Sequence, residues 1–207
     1  MAEANSWPSL RNHGLLSTTA LLDLFEINGE MRRSLESAHR PESVEIRHPK
    51  YGTAVIRDQK PMRESALKKC LMGMTPAEWY ETLNGQVFFW LTKERVQNLL
   101  TARAYRGRKH TVLCIDTARL IARHAANVRL SPINSGSTIY NPQPRGTNTF
   151  QEMHDYPFEE RRKLRGWANA AAELAVHYAV PDISDLVVRV EHRSGDRVLE
   201  IIYPASG

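Results

Sequence analysis

The sequence predicts an α+β fold in a single domain, and three observations predict it. Short apolar runs of strand character alternate irregularly with short helical stretches. The chain closes on an antiparallel hairpin, residues 186–191 and 198–203, around Ser194-Gly195-Asp196. Its 207 residues, 42% hydrophobic and 25% charged, suffice for one sizeable core and show no internal repeat.

Residues 7–12 predict a helix with Ser6 as N-cap and Pro8 in its first turn. His13-Gly14 ends it, glycine supplying a left-handed residue. Residues 19–25 and 30–37 predict two more helices, the second broken by His39-Arg40-Pro41-Glu42. Strands over 44–47 and 54–57 flank the turn HPKYG, and a helix spans 63–71. Thr75-Pro76-Ala77-Glu78 is a cap, a first-turn proline and a third-position acid, so it starts a helix that carries Trp79, Tyr80 and Leu83 to the core.

QVFFWL, residues 86–91, predicts a buried aromatic strand, and Thr92 caps a helix over 93–104. TVLCID, residues 111–116, predicts a second central strand with Cys114 a buried thiol. A helix over 117–124 and a strand over 128–130 follow. Residues 131–155 are long, rich in Pro, Gly, Ser, Thr and Asn, and without periodicity, which marks a functional loop or disorder. Ile139, Tyr140 and Phe150 are anchors and favour an ordered loop. A short basic helix covers 158–167.

The most informative stretch is ANAAAELAVHYAVPDISDLVVRVE, residues 168–191. AAAELAVHY alone suits a helix, but its surroundings predict two short strands joined by a Pro181/Asp182 turn. As a strand it puts Glu173, Ala175 and His177 on one face and Leu174, Val176 and Tyr178 on the other. That aims a carboxylate from a rigid element into whatever cleft the sheet borders. By residue type alone, a solvated helix or edge-strand glutamate is the competing reading.

Composition narrows the function classes. The net charge of +5 favours a polyanionic partner, with clusters at Arg103, Arg106, Arg108, Lys109 and His110 and at Arg161, Arg162, Lys163 and Arg165. No apolar run approaches the roughly 20 residues of a membrane span, so no membrane partner is expected. The N-terminus lacks the pattern of a signal peptide, and Cys70 and Cys114 read as reduced buried thiols, which together predict a cytoplasmic protein. The eight histidines are scattered without metal-ligand spacing, so no metal is expected. G-x-S-x-G, Walker and dinucleotide-fold glycine motifs are missing, which sets aside the common hydrolase, kinase and dehydrogenase classes.

What remains is a constellation. Gly14-Leu15-Leu16-Ser17 places a small turn and a hydroxyl after a helix. Arg57 ends a strand beside Asp58 and Gln59 and has the fork geometry to grip a phosphate. Asn134-Ser135-Gly136-Ser137 offers N–H groups and hydroxyls in a loop. Each feature alone also reads as an ordinary turn or a salt-bridged arginine.

In this order the segments resemble the ADP-ribosyltransferase fold, and most nearly the DarT-type nucleic-acid ADP-ribosyltransferase toxins and related bacterial proteins. The resemblance covers most of the chain: the early helix and G-L-L-S turn, the arginine-bearing segment, the long loop before a basic helix, and A-E-L-A-V followed by V-P and a final strand. It implies split antiparallel sheets with peripheral helices, and NAD as substrate. It places the catalytic carboxylate at Glu173 and pyrophosphate binding at Arg57. Cofactor contacts fall at Gly14, Ser17, Asn134 and Ser135, and acceptor contacts at Tyr140, Arg145 and Thr147, with Trp90 or Tyr140 as stacking rings. The family's first strand, ending in a Tyr-His pair ahead of the G-L-L-S turn, has no match from Met1 on, which leaves two expectations: a start inside the family pattern, or a fold without that strand. The implied chemistry is cleavage of the nicotinamide–ribose bond through an oxocarbenium-like state, with DNA or RNA as acceptor and a neutralising antitoxin protein as partner. NAD hydrolysis, or a non-catalytic nucleic-acid or nucleotide-binding module on the same fold, are the alternatives.

Overall fold

The computed structural model describes residues 1–204. Along the chain the strands are β1 (Ala2–Glu3), β2 (Leu15–Leu16), β3 (Val44–His48), β4 (Gly52–Ile56), β5 (Leu71–Met72), β6 (Gln86–Trp90), β7 (Lys109–Ile115), β8 (Val128–Ser131), β9 (Arg145–Gly146), β10 (Gln151–Glu152), β11 (Glu173–His177), β12 (Ala179–Val180), β13 (Val187–Ser194) and β14 (Arg197–Tyr203). The helices are α1 (Trp7–His13), α2 (Thr18–Leu24), α3 (Gly29–Glu36), α4 (Glu64–Cys70), α5 (Pro76–Asn84), α6 (Lys93–Thr101), α7 (Thr117–His124), α8 (Phe158–Arg165) and α9 (Ile183–Leu186). Helices are mixed with largely antiparallel sheets, an α+β architecture.

The chain divides into two compact units. The first comprises Met1–Leu15, Trp90–Asn127 and the chain from Val180 on; the second comprises Leu16–Phe89 and Val128–Ala179. The first unit holds the sheet β1-β7-β13-β14, with β7 and β13 interior and every pairing antiparallel. Leu100, Leu120, Ile183, Leu186 and Val190 are fully buried there. α7 is tied to the α9 turn by Arg123, which reaches Asp182 at 2.9 Å and Asp185 at 3.0 Å, and by His124, 2.7 Å from Asp182. At Gly14, φ is +81°, and an added Cβ would lie 2.6 Å from Pro181 Cα, so both conformation and space require glycine.

The second unit holds the sheet β10-β8-β11-β6, in which β11 pairs antiparallel with β8 and is covered on its other edge by β6. Two apolar clusters support it. One joins Met62, Leu67 and Cys70 to Trp79, Tyr80 and Leu83; the other joins Leu22, Phe25 and Leu35 to Ile46 and Ile56 of the β3–β4 hairpin. The Thr75 capping box starts α5 as its sequence predicts. Arg40 is buried and cross-links this unit, donating to the carbonyls of Leu35 and Arg57 and to Asn84 Oδ1.

Several local expectations change. Ser6 does not cap α1; its hydroxyl donates to Glu3 O at 2.7 Å instead. Gly14 has a positive φ but an extended ψ of 176°, not the left-handed helical pair. Cys114 is exposed, because the outer end of β7 turns it to solvent where β13 carries a bulge. Phe88 is partly exposed on the face of β6 opposite Val87, with its ring 5.9 Å from that of Phe150. Leu186 closes a helical turn, and its strand begins only at Val187.

Candidate functional site

The site begins with strand pairing. Glu173 opens β11 directly opposite Ser131, the last residue of β8. The chain leaves β8 at that point and turns back at once: the Ser131 hydroxyl donates to Ile133 O and accepts the Ile133 N–H. This brings Ser135 against the glutamate. Its backbone N–H donates to Glu173 Oε2 at 3.1 Å and its hydroxyl donates to the same oxygen at 2.6 Å. Glu173 is 4% exposed and Ser135 1%.

Arg145 completes the cluster. It is 3% exposed and donates to the Ser135 carbonyl at 2.8 Å, so one residue links the guanidinium to the carboxylate. The guanidinium lies 5.9 Å from the Trp79 ring centroid and hydrogen-bonds Cys70. Burial lowers its pKa, against the opposing pull of the Cys70 hydrogen bond and the Glu173 carboxylate. Arg145 reaches this depth because β9 pairs in parallel with β5, Leu71 opposite Arg145 and Met72 opposite Gly146. A Cβ at Gly146 would fall 2.1 Å from Met72 O, so glycine is what permits the pairing.

The long loop is ordered, as its apolar residues imply. Thr138 accepts from Arg63 N and donates to Arg63 O, and its own N–H reaches Pro61 O. Phe150 stacks on Trp79 with centroids 6.0 Å apart. Tyr140 is no anchor: it is 89% exposed, and the loop is held by Thr138, Arg145 and Phe150 instead.

Beside Phe150 lies a polar cleft of about 450 Å³, lined by Arg129, Thr147, Asn148, Gln151, Glu152 and Asp155. Thr147 is the predicted acceptor residue found there. Arg145, expected at the acceptor surface, is instead an internal support of Ser135. Asn134 is exposed, next to the Ser135–Glu173 contact. Ser17 is buried and spends its hydroxyl accepting the Ala20 N–H at the start of α2. Arg57 is half-buried at the end of β4, where its carbonyl accepts from Arg40 Nε. Trp90 is half-buried at the end of β6, and Gly14 belongs to the other unit.

Sequence reading did not find the roles of Cys70, Trp79 and Gly146. Their signals were weak in one dimension: a thiol after Lys-Lys, a core tryptophan, and a glycine beside Arg145 in a loop of unknown pairing. Among the described residues no group of three or more His, Cys, Asp and Glu is placed to hold a metal ion, and no helix is long and apolar enough to cross a membrane.

Chemically, the cluster is a carboxylate fixed by two donors from one residue, next to a buried cation and away from bulk water. Such an anion is preorganised to oppose positive charge developing on a bound molecule. A family of unknown function (DUF7002) matches residues 1–187, most of the chain, and the chain belongs to that family. No curated protein and no solved structure matches it.

Proposed function

For this member of a family of unknown function, we propose an NAD-dependent ADP-ribosyltransferase that modifies nucleic acid, with Glu173 as its charge-stabilising carboxylate. The observation that carries the reading is the burial and double hydrogen bonding of Glu173 at the head of an interior strand. Cleavage of the nicotinamide–ribose bond builds positive charge at the anomeric carbon, and a fixed carboxylate in a dry site stabilises it. Glu173 would also accept a hydrogen bond from a ribose hydroxyl. Ser135 and Arg145 hold the carboxylate in place, Arg57 takes the pyrophosphate, and Ser17 shapes the turn beside the nicotinamide ribose. The cleft bearing Thr147 supports an acceptor group that is polar and hydrogen-bonding.

The 4% exposure of Glu173 also suits a second reading, in which the glutamate only fastens the loop and the protein binds nucleotide or nucleic acid without catalysis. The test is nicotinamide release from NAD by the purified protein and by Glu173→Gln, with and without single-stranded DNA or RNA. Release lost in the variant, with label retained on the polymer, supports the transferase. Release without label supports NAD hydrolysis on the same fold. No release from folded wild-type protein leaves the binding module.

A further inference from the structure

Independently of that chemistry, we propose that the end of α8 and the turn after it form a docking tip for an anionic lipid surface. Residues 163–169 are exposed without a break, which is unusual next to a fully buried Ala170. The run reads Lys-Leu-Arg-Gly-Trp-Ala-Asn. Its two large apolar side chains are both open to solvent: Leu164 is 83% exposed and Trp167 67%. Lys163 and Arg165 flank Leu164.

The tip is firmly built. Gly166 has a φ of +75°, and its N–H donates to Arg162 O at 2.8 Å, turning the chain sharply after the helix. Asn169 N donates to Gly166 O, and Tyr156 OH donates to Ala170 O at 2.7 Å at the base. An exposed Leu and Trp on an ordered turn sit beside Lys163 and Arg165, while Arg162 is paired with Glu159 at 2.6 Å and Glu160 lies one turn back on α8, so the free positive charge is at the C-terminal end of the helix. That is the arrangement of a bilayer interface, where Trp sits at the headgroup level and Lys and Arg meet anionic lipid.

Charge alone also suits nucleic acid, but Leu164 favours lipid. Leu164, the more exposed of the pair, can neither stack on a base nor hydrogen-bond to one. Trp167 holds the Arg162 guanidinium 4.7 Å from its ring centroid and Phe158 at 5.5 Å and is still 67% exposed, so the oligonucleotide arm of the test below decides whether it stacks on a base. Docking requires no membrane-spanning element.

The test is co-sedimentation of the full chain with vesicles of phosphatidylcholine alone and of phosphatidylcholine with phosphatidylserine, at low and high salt. Binding is expected only to the serine-containing vesicles, falling with salt. Leu164→Glu should weaken it at least about tenfold and Lys163→Ala with Arg165→Ala roughly 30-fold. These residues are exposed, so melting temperatures should stay unchanged, which separates lost docking from lost folding. Trp167 fluorescence should shift to the blue with vesicles, a shift missing in Trp167→Phe. The proposal is overturned by no sedimentation at low salt, by equal binding to neutral vesicles, or by binding indifferent to Leu164→Glu. It is equally overturned if a single-stranded oligonucleotide binds through Trp167 while vesicles do not.

Discussion

Ser135 gives one carboxylate oxygen of Glu173 two donors, the backbone N–H at 3.1 Å and the hydroxyl at 2.6 Å. A buried carboxylate that loses a donor keeps its desolvation cost, so Ser135→Ala should destabilise the protein by about 1–3 kcal/mol. In a Glu173→Gln background the same change should cost less, with a coupling of at least about 0.5 kcal/mol for groups in direct contact. Denaturant melts of the four proteins measure this. Strictly additive losses would refute the contact.

Gly146 tests how Arg145 is positioned. Gly146→Ala must push the β5–β9 pair apart, since Met72 O occupies the place of the new methyl group. We expect a loss of about 1–3 kcal/mol, typical of overpacking. Gly107→Ala is the control: nothing lies within 4 Å of its Cβ position, and the change should stay within about 0.5 kcal/mol. Equal effects of the two substitutions on the thermal midpoint would show that the close approach at Met72 does not exist.

The strands and helices were legible because their signals are local. The Thr75 box and the Ser194-Gly195-Asp196 turn act within a few residues. The partners of Glu173 were not. Ser135 lies 38 residues away, and its role depends on Ser131 being opposite Glu173 in the sheet, a register that no short window encodes. The family resemblance assigns Ser135 and Arg145 to outside ligands, whereas pairing buries both of them. Exposure misled in the other direction at Tyr140 and Cys114, where an apolar or thiol side chain suggested burial that the local chain path does not provide.

Arg40 offers a stability test remote from the carboxylate. Burial lowers its pKa to about 10, against the pull of Asp58, so it remains charged at neutral pH. Its guanidinium serves Leu35 O, Arg57 O and Asn84 Oδ1 from one planar fork. Arg40→Met leaves these acceptors buried and unserved, at about 1–3 kcal/mol each before relaxation. Arg40→Lys should recover only part of the loss, because one ammonium cannot reach all three. Full recovery by lysine in urea melts would mean that charge alone, not the fork, holds the segment.

Acid sensitivity should reside partly in Asp182. Burial works to raise its pKa, but hydrogen bonds from Arg123 and His124 outweigh it, and the carboxyl titrates below its ordinary value of 3.8. A carboxylate depressed in the folded state contributes stability above its unfolded pKa and loses it as pH falls through the folded value. Asp182→Asn should therefore be less stable than wild type at neutral pH, and the gap should narrow as the pH drops below about 4. Asp23, held low chiefly by Arg32, keeps part of the acid limb in both proteins. Asp185→Asn should give a smaller gap, because Arg123 retains Asp182. Thermal midpoints of the three proteins between neutral pH and acid decide the matter: if the curves of wild type and Asp182→Asn run parallel into acid, the α7–α9 tie is not electrostatic in origin.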